Sequence, residues 1–373
     1  MYFKVSSTAL MSRLANTSKA LASKNAMSIL DCFFIEVNEG ELRVTASDSE
    51  KCMITTVPVL EQDGTMNFCV QAKTLMDSLR SIPEQPLVLD INPNTYELHG
   101  KHNSGQFSIM AQESSAYPEA RPVTDSNILE IPANIMLNGI NRCIFATAND
   151  EVRLVMNGIY CDLKQDHIIF VGTDGRKLVR NTVRSIMPNA EGGFILPKKV
   201  ATILKNVLAK DDTTVIIRYT NDRATIETAD MTMHFSLIEG NYPNYNAVIP
   251  QYNPYRATID RQALENALKR VSVFCNQSSG LVKVELTHNQ LRLTGQDTDY
   301  STSGEEYLSC DYNNNNIAIG FSCQFLIEIC NILESESVIL ELADPSRPGI
   351  VMPADESADD ELLMLLMPMR VED

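Results

Sequence analysis

The chain repeats itself. Three segments, "GELRVTASDSE" (40–50), "DHIIFVGTDGR" (166–176) and "NQLRLTGQDTD" (289–299), each run an alternating apolar strand into a small polar turn bearing an aspartate: Asp48, Asp174 and Asp297. Successive aspartates stand 126 and 123 residues apart. A second set of segments, "FCVQAKTLMDSL" from Phe68, "FILPKKVATILK" from Phe194 and "IAIGFSCQFLIEI" from Ile317, keeps the same two offsets. Two independent anchors at one spacing imply three copies of a single unit, at about 1–124, 125–250 and 251–373. Aromatic-proline segments, "SSAYPEARPV" (114–123) and "EGNYPNYNAVIP" (239–250), stand where one copy ends and the next begins.

Every copy reads in the same order: an opening strand, an amphipathic helix, alternating strands with the aspartate turn between them, a strand, a second helix and closing strands. The helices are expected near 7–21, 72–82, 132–147, 197–210, 260–274 and 322–335. Pro197 suits a helix start, and Asp260 and Ser322 suit N-caps. Two helices against several strands per copy is an α+β unit.

Sites for chemistry are few. The sequence has no GxxxxGK[ST], no GxGxxG after a strand, no GxSxG and no HExxH. Nine cysteines at irregular spacing, with no CxxC, read as small buried hydrophobes in a reducing compartment. His99 and His102 lie three apart, but "ELHGKHNSG" reads as a hairpin tip and no metal site is assigned. Asp174 recurs as part of a structural turn, so the expectation is a hairpin and no catalysis or cofactor; an enzyme built on Asp174 is the competing hypothesis. No run of about 18 apolar residues and no signal-peptide layout is present, so no membrane association and a cytoplasmic location are expected.

Charge supplies the remaining constraint. The formal net charge is −17, which taken alone argues against a nucleic-acid partner. Yet the six helical segments (7–24, 71–82, 132–147, 197–210, 260–274 and 322–336) carry thirteen Lys/Arg against six acids, leaving −24 on everything else. Positive charge is gathered on one class of element, as a surface facing a polyanion requires, although the last helix has three acids and no cation. A protein scaffold that never meets DNA, with ordinary solvated helix cations, is the alternative.

With three repeats and no catalytic constellation, the sequence resembles the bacterial DNA polymerase III beta subunits, the sliding clamps. The resemblance covers the whole chain and is most specific in "MSILDCFFIEV" (27–37), "MNGIYCDL" (156–163), "GTDGRKLV" (172–179), "EGNYPNYNAVIP" (239–250) and "LMLLMPMRVED" (363–373). It implies a homodimer whose two chains close head to tail into a ring around double-stranded DNA, tethering the polymerase without catalysis of its own. It further implies that the DNA polymerase III alpha subunit, the clamp loader and other proteins dock short peptides of the Gln-Leu-x-Leu-Phe kind in an apolar cleft.

Residue by residue, the resemblance assigns to that cleft Met156, Thr173, Gly175, Leu178, Pro243, Val248, Phe325, Met367, Pro368, Met369, Arg370 and Val371. By composition alone "LLMLLMPMR" reads equally as a buried closing strand. Lys24, Lys73, Arg80, Lys198 and Lys199 match basic positions of the DNA-facing lining, and Phe107, Ile109, Val273 and Phe274 match the ring-closing interface, where each pair reads also as core. Departures from the family's pattern are Arg176-Lys177, where His-Arg is common, Asn246-Ala247, where an arginine is often seen, and Ser279, where an aromatic is frequent. These substitutions bear on peptide preference.

Overall fold

The computed structural model describes residues 1–208, 213–355 and 357–371. The chain folds into two compact units, one of Met1–Asn134 with Asn206–Leu237 and one of Ile135–Lys205 with Ile238–Asp373. The middle copy of the repeat is thus shared between them.

Each unit is built on one antiparallel sheet. In the first the strands lie in the order Asn127–Pro132, Thr214–Tyr219, Arg223–Glu227, Met231–Ser236, Lys51–Pro58, Glu41–Ser47, Cys32–Asn38, Met66–Gln71, Gly105–Gln112, Glu97–His102, Pro86–Ile91, Tyr2–Ser6 and Glu61–Gln62. In the second the order is Gly192–Pro197, Gly158–Leu163, Ile168–Thr173, Lys177–Val183, Asp360–Leu366, Gly349–Pro353, Ser337–Leu342, Tyr255–Asp260, Thr302–Asp311, Gln290–Asp297, Leu281–Thr287 and Ile317–Ser322. The copies join in the same way in both sheets. Phe235 pairs with Lys51 in one, and Leu366 pairs with Lys177 in the other, 126 residues further along the receiving strand.

Two strands leave part of their ladder open among the described residues. Gly105–Gln112 is paired along its length to Glu97–His102, but meets Met66–Gln71 only at Val70↔Ala111 and Cys69↔Gln112. Thr302–Asp311 is paired throughout to Gln290–Asp297, but meets Tyr255–Asp260 only at Thr258↔Asp311 and Ile259↔Cys310. Unpaired backbone of this kind is a template for another strand.

Among the described residues six helices recur two per copy: α1 (Ser7–Thr17), α2 (Ala72–Leu79), α3 (Ala133–Cys143), α4 (Lys198–Val207), α5 (Arg261–Ser272) and α6 (Cys323–Ile332). Each buries a stripe at helical spacing, such as Ser7, Leu10, Leu14 and Thr17 of α1 or Leu264, Ala267, Leu268 and Val271 of α5. Asp260 caps α5 by accepting from the Ala263 N–H, and Ser322 caps α6 by accepting from the Phe325 N–H. Most helices stop earlier than expected. In α1 the Thr17 and Ser18 hydroxyls bond the Arg13 and Ala15 carbonyls, closing the helix into a short 3-10 turn, Ser18–Ala20. Lys24 therefore lies on the exposed segment after the helix, a correction to its helical placement. Lys210, expected at the end of α4, lies outside the described residues.

The three aspartates make one device. Asp48 Oδ1 accepts from the Glu50 and Lys51 N–H groups, Asp174 Oδ1 from Arg176 and Lys177, and Asp297 Oδ1 from Asp299 and Tyr300. Each carboxylate substitutes for the missing backbone acceptors of its turn. All nine cysteines are free, and all but Cys310 are buried. Among the described residues no helix is long and apolar enough to cross a membrane, and no group of three His, Cys, Asp or Glu side chains could hold a metal ion.

Candidate functional site

In the second unit the Asp174 hairpin, the strand Asp360–Leu366 and the segment around Tyr245 converge on an apolar cluster of Ile169, Val171, Leu178, Tyr245, Ile350, Leu363 and Leu365. Tyr160 and Tyr242 stack beside it with ring centroids 4.9 Å apart. The Tyr245 hydroxyl donates to Asp162 at 2.7 Å, and burial together with that carboxylate raises its pKa, so the phenol stays neutral and fixes the floor.

Above this floor lies a cavity of about 110 Å³ lined by Met156, Thr173, Gly175, Leu178, Pro243, Val248 and Met367, with Arg176, Lys177, Asn244, Tyr245 and Leu365. Seven of the residues singled out in the sequence thus meet around one space. Leu178 is buried, but Val248 and Met367 are 52% and 42% exposed, so an apolar wall stands open to water.

Local chemistry holds the walls. Asp150 Oδ1 accepts from the Val152 and Arg153 N–H groups, which pull its carboxyl down to about 2 and set the short 3-10 turn Leu154–Met156 that brings Met156 in. Arg153 reaches back to the Asp174 carbonyl. Gly175 is required here, because its φ is +85° and a Cβ would lie 2.9 Å from Arg153 Nη1. On the other side the Met367 N–H donates to the Arg176 carbonyl at 2.8 Å and the Met369 N–H to the Gly320 carbonyl at 2.7 Å.

Pro368, Met369, Arg370 and Val371 follow the cavity wall without lining it. They run past Gly320, where a Cβ would lie 2.6 Å from the Met369 carbonyl oxygen. Phe325 also stands outside the cavity. Lys177 connects the two: its stem lines the cavity, while its Nζ lies 3.9 Å from the Phe325 ring centroid and 2.9 Å from Glu328 Oε2. Sequence reasoning missed this contact, as it missed Asp150 and Tyr245–Asp162, because no motif links side chains 151 or 83 residues apart.

The first unit holds a polar copy of the same construction. A hollow of about 230 Å³ is lined by Ser47, Ser49, Glu50, Lys51, Cys52, Pro118, His234 and Ser236, among others. By the repeat offset and the strand pairing these stand where Thr173, Gly175, Arg176, Lys177, Leu178, Pro243, Leu365 and Met367 stand in the second unit. Cysteine, histidine and serine replace the leucines and the methionine.

The candidate DNA-facing cations do not form one class. Lys73 and Lys199 are exposed near the starts of α2 and α4. Arg80, at the end of α2, is exposed and pairs with Asp77 at 3.2 Å. Lys198 is half-buried, its Nζ 3.3 Å from both the Thr147 carbonyl and Asn149 Oδ1; burial, and then the charge of Lys177, lower its pKa. Of the interface candidates, Val273 is 77% exposed just after α5, and the Phe274 ring covers Gly304 on the half-open strand Thr302–Asp311. Phe107 likewise covers Gly100, its cross-strand partner. Ile109 is only 7% exposed, because the strand's alternation turns residues 109 and 111 inward; this corrects its expected place on an accessible surface.

Models of the DNA polymerase III beta subunit match the chain in order: the N-terminal domain at residues 1–121, the central domain at 130–244 and the C-terminal domain at 246–370. The beta sliding clamps of Pseudomonas putida and Vibrio cholerae are 24% and 22% identical to it, with both proteins covered in full. Among solved structures, the sliding clamp of Pseudomonas aeruginosa is similar with a TM-score of 0.93 at 23% identity. The DNA polymerase III beta subunit of Thermotoga maritima has a TM-score of 0.91 at 25%, and each comparison covers all of both chains. With three domain models laid end to end over the three copies of its repeat, the chain belongs to the DNA polymerase III beta subunit family.

Proposed function

We infer that this protein is a sliding clamp that keeps a replicative DNA polymerase on its template. The observation that carries this function is the threefold repeat, matched copy by copy by the family's three domains. The chain has no catalytic role; the Asp174 carboxylate is occupied by backbone N–H groups of its own turn. The domain limits we propose are 1–124, 125–250 and 251–373.

The half-open strands Gly105–Gln112 and Thr302–Asp311 support a head-to-tail homodimer in which the first domain of one chain adds its edge to the third domain of the other. Phe107, Val273 and Phe274 flank those edges, with Ile109 supporting from beneath. Lys24, Lys73, Arg80 and Lys199 are the phosphate contacts we propose, with Lys198 contributing less because acceptors of its own chain already hold it. Loose phosphate contacts carry no sequence register, which suits a protein that moves along DNA. The apolar cleft, with the tail Pro368–Val371 and Phe325 at its margin, is the docking place for peptides of the polymerase alpha subunit, the clamp loader and other partners, in a cytoplasmic setting.

The test is topological. Labelled protein is loaded by its clamp loader onto nicked circular DNA, and the circle is then cut once. Loss on cutting with retention on the intact circle is the expected result. Equal retention on both forms means ordinary electrostatic binding and refutes the clamp.

A further inference from the structure

The cleft of this chain is small, and one side chain makes it so. Lys177 lines the 110 Å³ cavity along its stem, yet its ammonium is turned away onto the face of Phe325 and into the Glu328 carboxylate. The side chain is only 7% exposed. Phe145 lies on the same ammonium, 5.2 Å from ring centroid to Nζ. A cation held between an aromatic face and a carboxylate away from water is in a strongly favoured position. Lys177 is therefore a partition: the apolar cavity is on one side, the ring of Phe325 on the other. An apolar cavity of about 150 Å³ admits benzene. At 110 Å³, the cavity closed by Lys177 has room for a branched aliphatic side chain and too little for a phenyl ring.

We propose that Lys177 is a specificity-determining residue which, by walling Phe325 off from the cleft, makes this protein select partner peptides with an aliphatic terminal anchor over those with an aromatic one. The proposal rests on the cleft being the peptide site, and it deepens that reading by naming the ligand class. Glu328 is the positioning partner: it holds the ammonium over the ring and so keeps the wall in place. Gln324 Nε2, 3.4 Å from the other oxygen of Glu328, steadies the carboxylate.

The experiment uses the full-length protein and two fluorescent peptides, one ending Gln-Leu-Ser-Leu-Leu and one ending Gln-Leu-Ser-Leu-Phe, with Kd read by anisotropy. The wild type is expected to bind the leucine-ended peptide at least as tightly as the phenylalanine-ended one. Lys177→Ala opens the wall, and Glu328→Gln is combined with it so that no carboxylate is left unpaired. In that double variant the ratio of the two affinities is expected to move at least fivefold toward phenylalanine. Lys177→Met keeps the wall's bulk without its charge and is expected to hold the wild-type ratio within about twofold, which separates volume from electrostatics.

A wild type that prefers phenylalanine by more than threefold overturns the proposal, as does an unchanged ratio in a double variant that binds both peptides. Failure of the wild type to bind either peptide removes the cleft reading itself, and the proposal with it.

Discussion

The open edge of Thr302–Asp311 and the exposed Val273 beside it make ring closure the most quantitative test. Val273 is 77% exposed in the single chain, although valine usually lies inside. If association covers it, Val273→Ala removes two buried carbons, worth roughly 0.8 kcal/mol each, of which about three quarters is gained on association. That is ~1.2 kcal/mol per interface. A two-chain ring has two interfaces, so the dimer loses about 2.5 kcal/mol and its dissociation constant rises roughly 60-fold, at 1.4 kcal/mol per tenfold. Sedimentation equilibrium across a range of concentrations measures this directly, and chain stability, followed by urea unfolding of the dilute monomer, should change by less than about 0.5 kcal/mol. A dimer constant within threefold of wild type would show that Val273 stays in water and that the chains close elsewhere.

Three further outcomes are expected. Lys73→Gln and Lys199→Gln should each lower the slope of log K against log salt for non-specific DNA binding by about 0.9, whereas Lys198→Gln should change it less; equal effects at all three would contradict the different settings of these ammonium groups. His234 donates to or accepts from Thr225 Oγ1 at 2.8 Å, and burial, then Arg43, lower its pKa below the ordinary 6.5. The unfolded chain therefore binds this proton first, and the contribution present above pH 6.5 is lost as pH falls toward the folded pKa; His234→Gln should flatten the fall in Tm between pH 7 and pH 5, and an unaltered slope would remove His234 from the acid response. Ser49 holds φ +79° where Gly175 holds +85° in the next copy, so Ser49→Gly should stabilise by roughly 0.5–1 kcal/mol in urea unfolding, and a loss of stability would mean the two turns are not equivalent.

Much of this was legible in the sequence because the repeat multiplies every local signal by three. One Asp-Gly turn is ambiguous, but three aspartates at 126 and 123 residues define a turn, and all three accept from two N–H groups in the folded chain. The caps Asp260 and Ser322 were readable because capping is a short-range contact. Long-range consequences were not. Helix periodicity ran on past Thr17, where hydroxyls had already satisfied the last carbonyls, and carried Lys24 into a helix it does not join. Strand alternation made Phe107 and Ile109 look alike, whereas their burial differs because only the residue nearer the centre of the sheet is covered. Most of the cleft residues were found, but not Lys177 as a wall, since its partners come from a helix 148 to 151 residues away.

Duplication also bears on how many partners one chain can hold. Both sheets join neighbouring copies through the same strand pair, so both present a hollow beside the aspartate hairpin. Only one of them is apolar. Where Leu178, Leu365 and Met367 make a dry wall, the first unit has Cys52, His234 and Ser236, and Glu50 replaces Arg176 at the rim. Leucine or methionine anchors entering that hollow would gain little burial and would strip water from a histidine and serines without replacing its hydrogen bonds, a cost of about 1–3 kcal/mol for each group left unpaired. Selection on side chains, with the backbone unchanged, is enough to restrict apolar peptides to one site per chain. Titration of a leucine-anchored peptide should therefore saturate at one equivalent per chain, and a second equivalent of comparable affinity would show that the polar hollow had been misjudged.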